Sequence, residues 1–322
     1  MDITQIVKEI GRGKNHARDL DQATAFQLYK AILQQDLDPL VLGAVLIALR
    51  IKGESEQEML GFIGALQEKL PQFSLPDGGL MPVVIPSYNG ARRQGNLTPL
   101  LALLLEKLGF PVFVHGIRQD PTRVTSETVF AALGISAVAS PQQAEQQLRQ
   151  GKLTFMAVDD WCPPLAKQLA LRWQLGLRNS AHTLAKLASP YAAGKALQIS
   201  AVSHPEYVPK VAAFFRHSQS LALLLNGCEG EVYANPRRGP ALFAVSPQQE
   251  TLQRLVERQE EQKALLPVSK SAEQTAHWIQ QVLAGDIPVP QPIRLQVACC
   301  LLLARRCQDV TAGVEQLAAA GY

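Results

Sequence analysis

The chain lacks the sequence features of membrane proteins and of proteins from oxidising compartments. Its five cysteines show no Cys-x-x-Cys spacing, and Cys299 and Cys300 lie inside an apolar run. Such cysteines are typical of small core residues in a reducing compartment, so neither disulfides nor a zinc site is predicted. Apolar runs are far shorter than the roughly 20 residues of a membrane span, and the N-terminal segment carries acids, unlike a secretory signal. We therefore expect a cytoplasmic protein without membrane association.

Charged and aromatic side chains are also sparse. Charged residues make up 18% of the chain and aromatic residues 6%, against about 25% charged residues in average domains. Low charge combined with 47% hydrophobic residues excludes extensive disorder and predicts a sizeable core. The sequence contains no zinc-finger, RNP-type or helix-turn-helix pattern, so it gives no support for direct reading of bases.

The charge that is present is unevenly distributed. The net charge is only +3, yet residues 80–190 carry 11 Lys or Arg against 6 Asp or Glu, whereas residues 1–79 carry 8 against 11. A local basic surface can bind a polyanion even when the whole molecule is nearly neutral. The same excess fits ordinary surface scatter, and the counts alone do not decide between the two interpretations.

Hydrophobic periodicity predicts a helical part followed by an α/β part. Apolar residues at helical spacing predict helices at 3–10, 23–34, 39–50 and 54–69. A Pro- and Gly-rich stretch at 71–82 has the composition of a linker. Beyond it, short apolar strands are predicted at 83–85, 111–115, 154–158, 197–202 and 221–225.

The strands alternate with helices, which is typical of an α/β fold. Further helices are predicted at 96–108, 125–133, 249–262, 272–283 and 293–305. We expect a small helical domain over residues 1–75, completed by a helix near 163–190, and a larger α/β domain over 76–322. The sheet of that domain should be mixed and rich in parallel strands.

Several motifs resemble a known family. Residues 46–58 read Leu-x-Ala-Leu-Arg-x-Lys-Gly-x-x-x-x-Glu and resemble the helical domain of anthranilate phosphoribosyltransferases and the related class III (pyrimidine) nucleoside phosphorylases. Residues 10–20 (IGRGKNHARDL) and 202–207 (VSHPEY) resemble the YbiB-like branch of that family. The resemblance implies an anthranilate-phosphoribosyltransferase-like fold. It also implies a homodimer that binds nucleic acid, DNA or RNA, without reading its sequence.

The motifs that bind the phosphoribosyl donor in that family are incomplete. The family's Gly-Thr-Gly-Gly-Asp loop corresponds to residues 86–90 (Pro-Ser-Tyr-Asn-Gly), and its Lys-His-Gly-Asn-Arg motif to residues 114–118 (Val-His-Gly-Ile-Arg). Glycines that admit phosphate and a lysine that binds it are therefore missing. Of the acidic pair that binds Mg²⁺ in the family, the chain keeps Glu231 alone, which is a poor metal site. The resemblance thus implies no catalytic residues, no metal and no cofactor.

A remnant of the phosphate site is still expected. An anion could rest at the start of the helix that follows the first strand. The residues of this vestigial phosphate site are Asn89, Gly90, Asn96, Thr98 and His115. His115 by itself fits a hydrogen-bonded structural histidine better than a ligand.

Basic side chains cluster at several places and predict a surface that contacts phosphates. The candidate nucleic-acid-binding residues are Lys8, Arg12, Lys14, Arg18, Arg92, Arg93, Arg118, Arg123, Arg178, Lys186, Arg237 and Arg238. The first four form a basic arm that neighbouring glycines keep accessible. The next four are expected to form one basic rim at the carboxyl edge of the sheet. Aromatic residues rarely lie beside these cations, with Tyr88 near Arg92 as the main exception, so stacking should be minor.

Each basic group also has a structural interpretation. The arm fits a solvated helix end that complements the helix dipole. The rim arginines could equally be separate, unrelated surface residues. The loop pair Arg237-Arg238 fits a phosphate contact and an ordinary surface position equally well. Arg178, His182 and Lys186 would share one face of a helix, which could be an exposed face paired with acids.

Two other functions remain open at this point. One is a phosphoribosyltransferase or nucleoside-phosphorylase-type enzyme with a different substrate, which would use Asn96, Thr98, His115 and Arg178. The other is a scaffold whose partner is a protein. Turnover with Mg²⁺ would support the enzyme, whereas binding that weakens with salt and ignores base sequence would support the nucleic-acid interpretation.

Overall fold

A computed structural model describes residues 2–13, 15–75, 77–249 and 251–322. The chain divides into two compact units. The helical unit comprises the residues up to Pro71 together with Trp161–Pro190, and the α/β unit comprises Gln72–Asp160 and Tyr191–Tyr322. Among the described residues, none of the helices is both long enough and apolar enough to cross a membrane.

The helical unit is built from short helices. They are α1 (Ile3–Ile10), α2 (Gln22–Gln34), α3 (Pro39–Lys52), α4 (Glu56–Gln67), α9 (Pro163–Ala170), α10 (Arg172–Leu175) and α11 (Ala181–Leu187). Helices α2 and α4 pack closely because α4 has a glycine at the crossing. A Cβ atom on Gly61 would lie 2.5 Å from the carbonyl oxygen of Gln22 and 2.7 Å from the amide nitrogen of Phe26.

A buried ion pair joins three segments of the helical unit. The Glu58 carboxylate is fully buried and accepts hydrogen bonds from Lys52 Nζ at 2.6 Å, Ser55 N at 2.7 Å and Leu20 N at 3.0 Å. Lys52 Nζ also donates to Asp19 at 2.6 Å. Ser55 and Glu58 form the capping box that starts α4. The Lys-Gly-x-x-x-x-Glu motif therefore has a structural role in this chain.

The α/β unit contains one seven-stranded sheet. Its strands are β1 (Val83–Ser87), β2 (Val112–Gly116), β3 (Thr154–Ala157), β4 (Leu197–Val202), β5 (Leu221–Asn226), β6 (Leu242–Val245) and β7 (Gln253–Val256). The order is β3-β2-β1-β4-β5-β6-β7. The first five strands are parallel to one another, β6 is antiparallel to β5, and β7 is antiparallel to β6. Strands β1 to β4 are buried throughout, as expected of a parallel sheet covered on both faces. The predicted parallel-rich mixed sheet is confirmed.

The remaining helices follow the strands along the chain. They are α5 (Thr98–Lys107), α6 (Ser126–Ala132), α7 (Pro141–Arg149), α8 (Val158–Trp161), α12 (Val208–His217), α13 (Ala272–Ala284), α14 (Gln291–Leu303) and α15 (Val310–Ala319). Cys299 and Cys300 are buried in α14 within the main hydrophobic core, and all five cysteines are free thiols.

Two predicted helices are wrong. Residues 249–262 carry Leu252, Leu255 and Val256 at helical spacing, but this segment contains β7, which covers the otherwise open edge of β6. Residues 163–190 do not form one helix: the chain turns at Gly176, whose φ is +69°, and α11 begins only at Ala181. Arg178 therefore lies before the helix that carries His182 and Lys186, not on it.

Candidate functional site

The candidate site lies at the carboxyl edge of the sheet, where ligands bind in open α/β folds. Two loops meet there. One follows β1 and contains residues 88–93, and the other follows β5 and contains residues 227–231. Strand β4 lies between β1 and β5, so the two loops come from strands on either side of it.

Glu231 is the centre of the site. Its carboxylate is fully buried and accepts four hydrogen bonds. Oε1 accepts from the backbone nitrogens of Asn89 at 2.8 Å and Gly90 at 2.7 Å. Oε2 accepts from the hydroxyls of Ser87 at 2.6 Å and Thr98 at 2.9 Å. Both oxygens of this carboxylate are thus held by donors of β1, of the loop that follows it and of the start of α5.

Glu229 binds the next part of the same loop. Its carboxylate accepts hydrogen bonds from the backbone nitrogens of Arg92 at 3.2 Å and Arg93 at 3.0 Å. Gly230 lies between the two glutamates with a φ of +87°, and a Cβ there would lie 1.5 Å from the side-chain nitrogen of Asn89. Only glycine fits this position. The loop after β5 is therefore shaped to present two carboxylates to the loop after β1.

Three of the residues predicted for the vestigial phosphate site bind a carboxylate of the chain itself. Asn89, Gly90 and Thr98 donate to Glu231. Asn96 is buried and supports the start of α5, since its Oδ1 accepts from Thr98 N at 3.1 Å. We call the Glu231 carboxylate and the four groups that donate to it, on Ser87, Asn89, Gly90 and Thr98, the anion cradle. A phosphate could enter the cradle only by displacing a carboxylate that already satisfies its donors.

The cradle does not fit a divalent cation either. Mg²⁺ binds through the lone pairs of oxygen ligands. Here N–H and O–H groups of four residues point at the two oxygens of Glu231. Those lone pairs are therefore taken, so this arrangement does not support a metal-assisted transfer through Glu231.

His115 is a fully buried residue of β2. Its Nδ1 lies 2.7 Å from the Tyr88 hydroxyl, and its ring stacks on Phe113 with centroids 5.5 Å apart. Burial lowers the pKa of His115 to about 3, so the ring is neutral at physiological pH. Tyr88 is only 3% exposed.

The four arginines predicted for a shared basic rim differ in their contacts. Arg92 and Arg93 are exposed. Arg118 instead pairs with Glu127 and Asp160, and Arg123 Nη1 donates to the backbone oxygen of Gly90 at 3.1 Å. Arg118 thus forms ion pairs within the α/β unit, and Arg123 holds the loop after β1 through the Gly90 carbonyl. That these two residues also contact phosphates on one shared rim stays a prediction.

The basic arm is organised around one acid. Arg12 Nη2 lies 3.3 Å from Glu9 Oε1, and Arg18 Nε lies 3.6 Å from Glu9 Oε2. Lys8 is exposed on α1, and its backbone oxygen accepts from Arg12 Nε at 3.1 Å. Lys14 lies outside the described residues. Two cations therefore pair with a single carboxylate at the end of α1, and the side chain of Arg18 is 70% exposed.

A second group of cations surrounds His182 in the helical unit. Burial and, after it, the nearby charges of Arg178, Arg172 and Lys186 lower the pKa of His182 to about 3. The expected proximity of Arg178 and Lys186 is thus present, although Arg178 belongs to the loop before α11. The group is joined by Trp173, which is 56% exposed and carries the Arg172 guanidinium 4.2 Å from its ring centroid.

Sequence reasoning missed Trp173. The signal was the Arg172-Trp173 dipeptide, which lies outside every motif that the resemblance supplied. An exposed tryptophan beside cations is the usual platform on which bases stack. Trp161 and Trp278, by contrast, are 2% and 4% exposed.

The last predicted pair, Arg237 and Arg238, lies in an exposed loop before β6. Asn235 Oδ1 accepts hydrogen bonds from both backbone nitrogens, at 3.0 Å and 3.1 Å, and fixes the turn. Arg238 pairs with Glu261 at 2.9 Å, and both side chains of that pair are more than half exposed. Such exposed pairs contribute little stability and leave the arginine accessible to a stronger anion.

The chain is similar in sequence and in fold to known proteins. Residues 4–70 match the glycosyl transferase family, helical bundle domain. An anthranilate phosphoribosyltransferase of Saccharolobus islandicus (strain L.S.2.15 / Lassen #1) is 26% identical over 333 residues, covering 98% of this chain and 90% of that protein. The crystal structure of anthranilate phosphoribosyltransferase from Thermus thermophilus has a TM-score of 0.80 at 21% identity, covering 99% of this chain and 94% of that one.

A nearer relative is the YbiB protein of Escherichia coli (strain K12). It is 52% identical over 318 residues, which cover 98% of this chain and 99% of the relative. Identity at this level over the whole length of both proteins shows common membership, whereas the structural likeness above shows the fold. The chain belongs to the YbiB branch of the anthranilate-phosphoribosyltransferase-like family.

Proposed function

We propose that this protein is a cytoplasmic nucleic-acid-binding protein that contacts phosphates without reading base sequence, on a fold that no longer transfers phosphoribose. The observation that carries the proposal is the filled anion cradle. Glu231 takes the amides and hydroxyls that would bind a phosphoribosyl donor. Glu229 takes the amides of Arg92 and Arg93, while the side chains of those two arginines remain exposed.

Exposed cations in both units support binding of a polyanion. Lys8, Arg12 and Arg18 in the helical unit, and Arg92, Arg93 and Arg237 in the α/β unit, are the cations concerned. Exposed guanidinium and ammonium groups bind phosphates through charge and release counterions, which gives affinity without sequence preference. Trp173 adds a surface on which an unpaired base could stack, so single strands should bind at least as tightly as duplexes.

Tryptophan fluorescence tests this proposal, because only one of the three tryptophans is exposed. Titration with a single-stranded oligonucleotide should quench part of the emission. The quench should disappear in Trp173→Phe, which removes the exposed indole, and persist in Trp278→Phe, which removes a buried one. Equal quenching in both variants would place the strand away from Trp173, and no binding at low salt would reject nucleic-acid binding.

The second candidate is an enzyme with a different phosphate-bearing substrate. One observation favours it: Asn96, Thr98 and the amides of Asn89 and Gly90 are still arranged as an anion site, which would accept a phosphate once Glu231 moved away. Assays for pyrophosphate release from phosphoribosyl donors with Mg²⁺, and for phosphorolysis of nucleosides, distinguish this candidate. Turnover that is lost in Thr98→Val would favour it over the binding protein.

We also infer a homodimer, in keeping with what the resemblance implies. Leu40 and Ile51 lie near opposite ends of α3 and are 82% and 57% exposed. Large apolar side chains at such exposure suit an interface between copies. Sedimentation velocity should give the mass of a dimer, and Leu40→Glu should shift the protein toward monomer.

A further inference from the structure

A cleft on the α/β unit lies beside the antiparallel strands of the sheet, and Gly227 of the loop after β5 is part of its lining. It has a volume of about 650 Å³ and is bounded by the end of β5, the start of α12 and the hairpin of β6 and β7. In the register of the sheet, Leu225 pairs with Leu242 and Leu242 with Val256. The chain therefore leaves β5, enters β6 and leaves β7 at the same edge. We call this space the hairpin cleft.

The polar lining of the hairpin cleft is cationic. Arg238, Arg254 and Arg258 line it, and none of the described residues that line it is acidic. Arg238 and Arg254 pair with Glu261 and Glu257, whose side chains are 67% and 76% exposed and lie outside the lining. Arg258 is exposed and forms no ion pair with another residue that the structure describes. Three guanidinium groups beside one space select an anion, and their fork geometry suits phosphate oxygens.

The rest of the lining is apolar. Phe243, Leu252 and Val208 line the cleft together with several prolines. The Arg254 guanidinium lies 5.4 Å from the centroid of the Phe243 ring, so a planar cation already stacks on this wall. Asn226 and Asn235 contribute amide groups to the same lining. An inorganic anion would use the arginines and leave the apolar wall and the amides unused.

Size, charge and wall chemistry together define the ligand. Pockets for small organic molecules measure about 300–1,000 Å³, and the hairpin cleft lies inside that range. We propose that the hairpin cleft binds one nucleotide unit, with its phosphate on the arginines and its base against Phe243 and Leu252. The inference goes beyond the proposed function, since a free nucleotide would bind here whether or not the rest of the surface binds a polymer.

Isothermal titration calorimetry with adenosine monophosphate tests the inference. Saturable binding is expected, and Arg258→Gln should weaken it by about tenfold, the loss typical of one charge-assisted contact. Phe243→Leu should weaken it as well, because the stacking face is lost. Arg305→Gln removes an exposed arginine of the α/β unit outside the lining and should leave the affinity unchanged. Arg258 is exposed, so its replacement leaves the fold intact.

Ribose 5-phosphate provides the control for the base. It carries the same phosphate and sugar, and it should bind at least about tenfold more weakly than adenosine monophosphate if the base contacts the apolar wall. The inference is overturned if no saturable nucleotide binding occurs, if Arg258→Gln and Phe243→Leu bind like the unmodified protein, or if ribose 5-phosphate binds equally well.

A phosphorylated hexanucleotide identifies the source of the nucleotide unit. Competition between the hexanucleotide and adenosine monophosphate would mean that the cleft holds one nucleotide of a strand, whereas independent binding would assign it to a free nucleotide. Either result supports the cleft. The test also separates the two proposals: long oligonucleotides that bind while the nucleotide does not would overturn the cleft alone. The reverse result would overturn the proposed function alone.

Discussion

At the scale of single residues, burial decides which polar groups serve structure. His115 was expected from the sequence to be structural, and its burial beside Tyr88 agrees with that interpretation. The role of Glu231 could not be foreseen, because its partners Asn89 and Gly90 lie more than a hundred residues earlier in the chain. A motif comparison marks Glu231 as a remnant of a metal site, whereas its hydrogen bonds show that its carboxylate holds the loop after β1.

His182 should make the helical unit sensitive to acid. Its pKa is lowered to about 3 by burial and then by Arg178, Arg172 and Lys186, against about 6.5 in an unfolded chain. The unfolded state therefore takes up a proton first as the pH falls. Stability is complete above about pH 6.5 and declines toward about pH 3, by at most about 1.4 kcal/mol per pH unit for this residue.

Urea unfolding at several pH values checks this expectation. The free energy of unfolding should fall less steeply between about pH 6.5 and about pH 4 in His182→Gln than in the unmodified protein. His277 is exposed, so His277→Gln is the matched control and should keep the original slope. If His182→Gln keeps that slope too, the neutral buried state of His182 is wrong.

At the scale of elements, local pattern predicted most helices and strands, and long-range pairing decided the exceptions. Strand β4 was predicted at its observed bounds, where apolar and polar residues alternate from Leu197 to Ala201 as in a strand. Residues 249–262 failed because the apolar spacing of Leu252, Leu255 and Val256 fits a helix equally well. Only the open edge of β6, which no local window contains, selects the strand β7.

Two glycines in helices should respond in opposite ways to alanine. Gly61 lies where α2 and α4 cross, and a Cβ there would approach Gln22 O to 2.5 Å, so Gly61→Ala should destabilise the protein by about 2 kcal/mol or more. Gly43 in α3 has no atom within 4 Å of a built Cβ, and Gly43→Ala should stabilise it by up to about 1 kcal/mol. Thermal unfolding of both variants measures the contrast, and equal shifts would refute the close crossing.

The anion cradle is a second property of elements, because it joins the loops after β1 and β5. Glu231→Ala would leave two buried amides and two hydroxyls without an acceptor and should lower the free energy of unfolding by about 3 kcal/mol or more. Glu229 is only partly buried, and Glu229→Ala should cost about 1 kcal/mol or less. Chemical denaturation gives both values.

The same variants test whether the cradle is filled. The unmodified protein should show no saturable binding of pyrophosphate, whereas Glu231→Ala should gain it as the amides of Asn89 and Gly90 become available. Strong pyrophosphate binding by the unmodified protein would mean that Glu231 leaves easily, and would favour the enzyme over the binding protein.

At the scale of the whole molecule, family membership and fold followed from the sequence, but the state of the site did not. Motifs at 10–20, 46–58 and 202–207 were sufficient for the family and hence for both units. Net charge was uninformative, since +3 averages over a chain whose cations are partly paired, as Arg118 is, and partly exposed, as Arg93 is. Which cations remain accessible depends on tertiary pairing, and that information is distributed over the whole chain.

The most direct test of the central claim is the salt dependence of oligonucleotide binding, measured by fluorescence anisotropy with two unrelated sequences, each as single strand and duplex. Both sequences should bind with the same affinity, and log K should fall linearly with log salt by roughly 0.7–0.9 per phosphate neutralised. Arg12→Glu with Arg18→Glu should make that slope shallower. Binding that ignores salt, that favours one sequence, or that is absent at low salt would contradict the account.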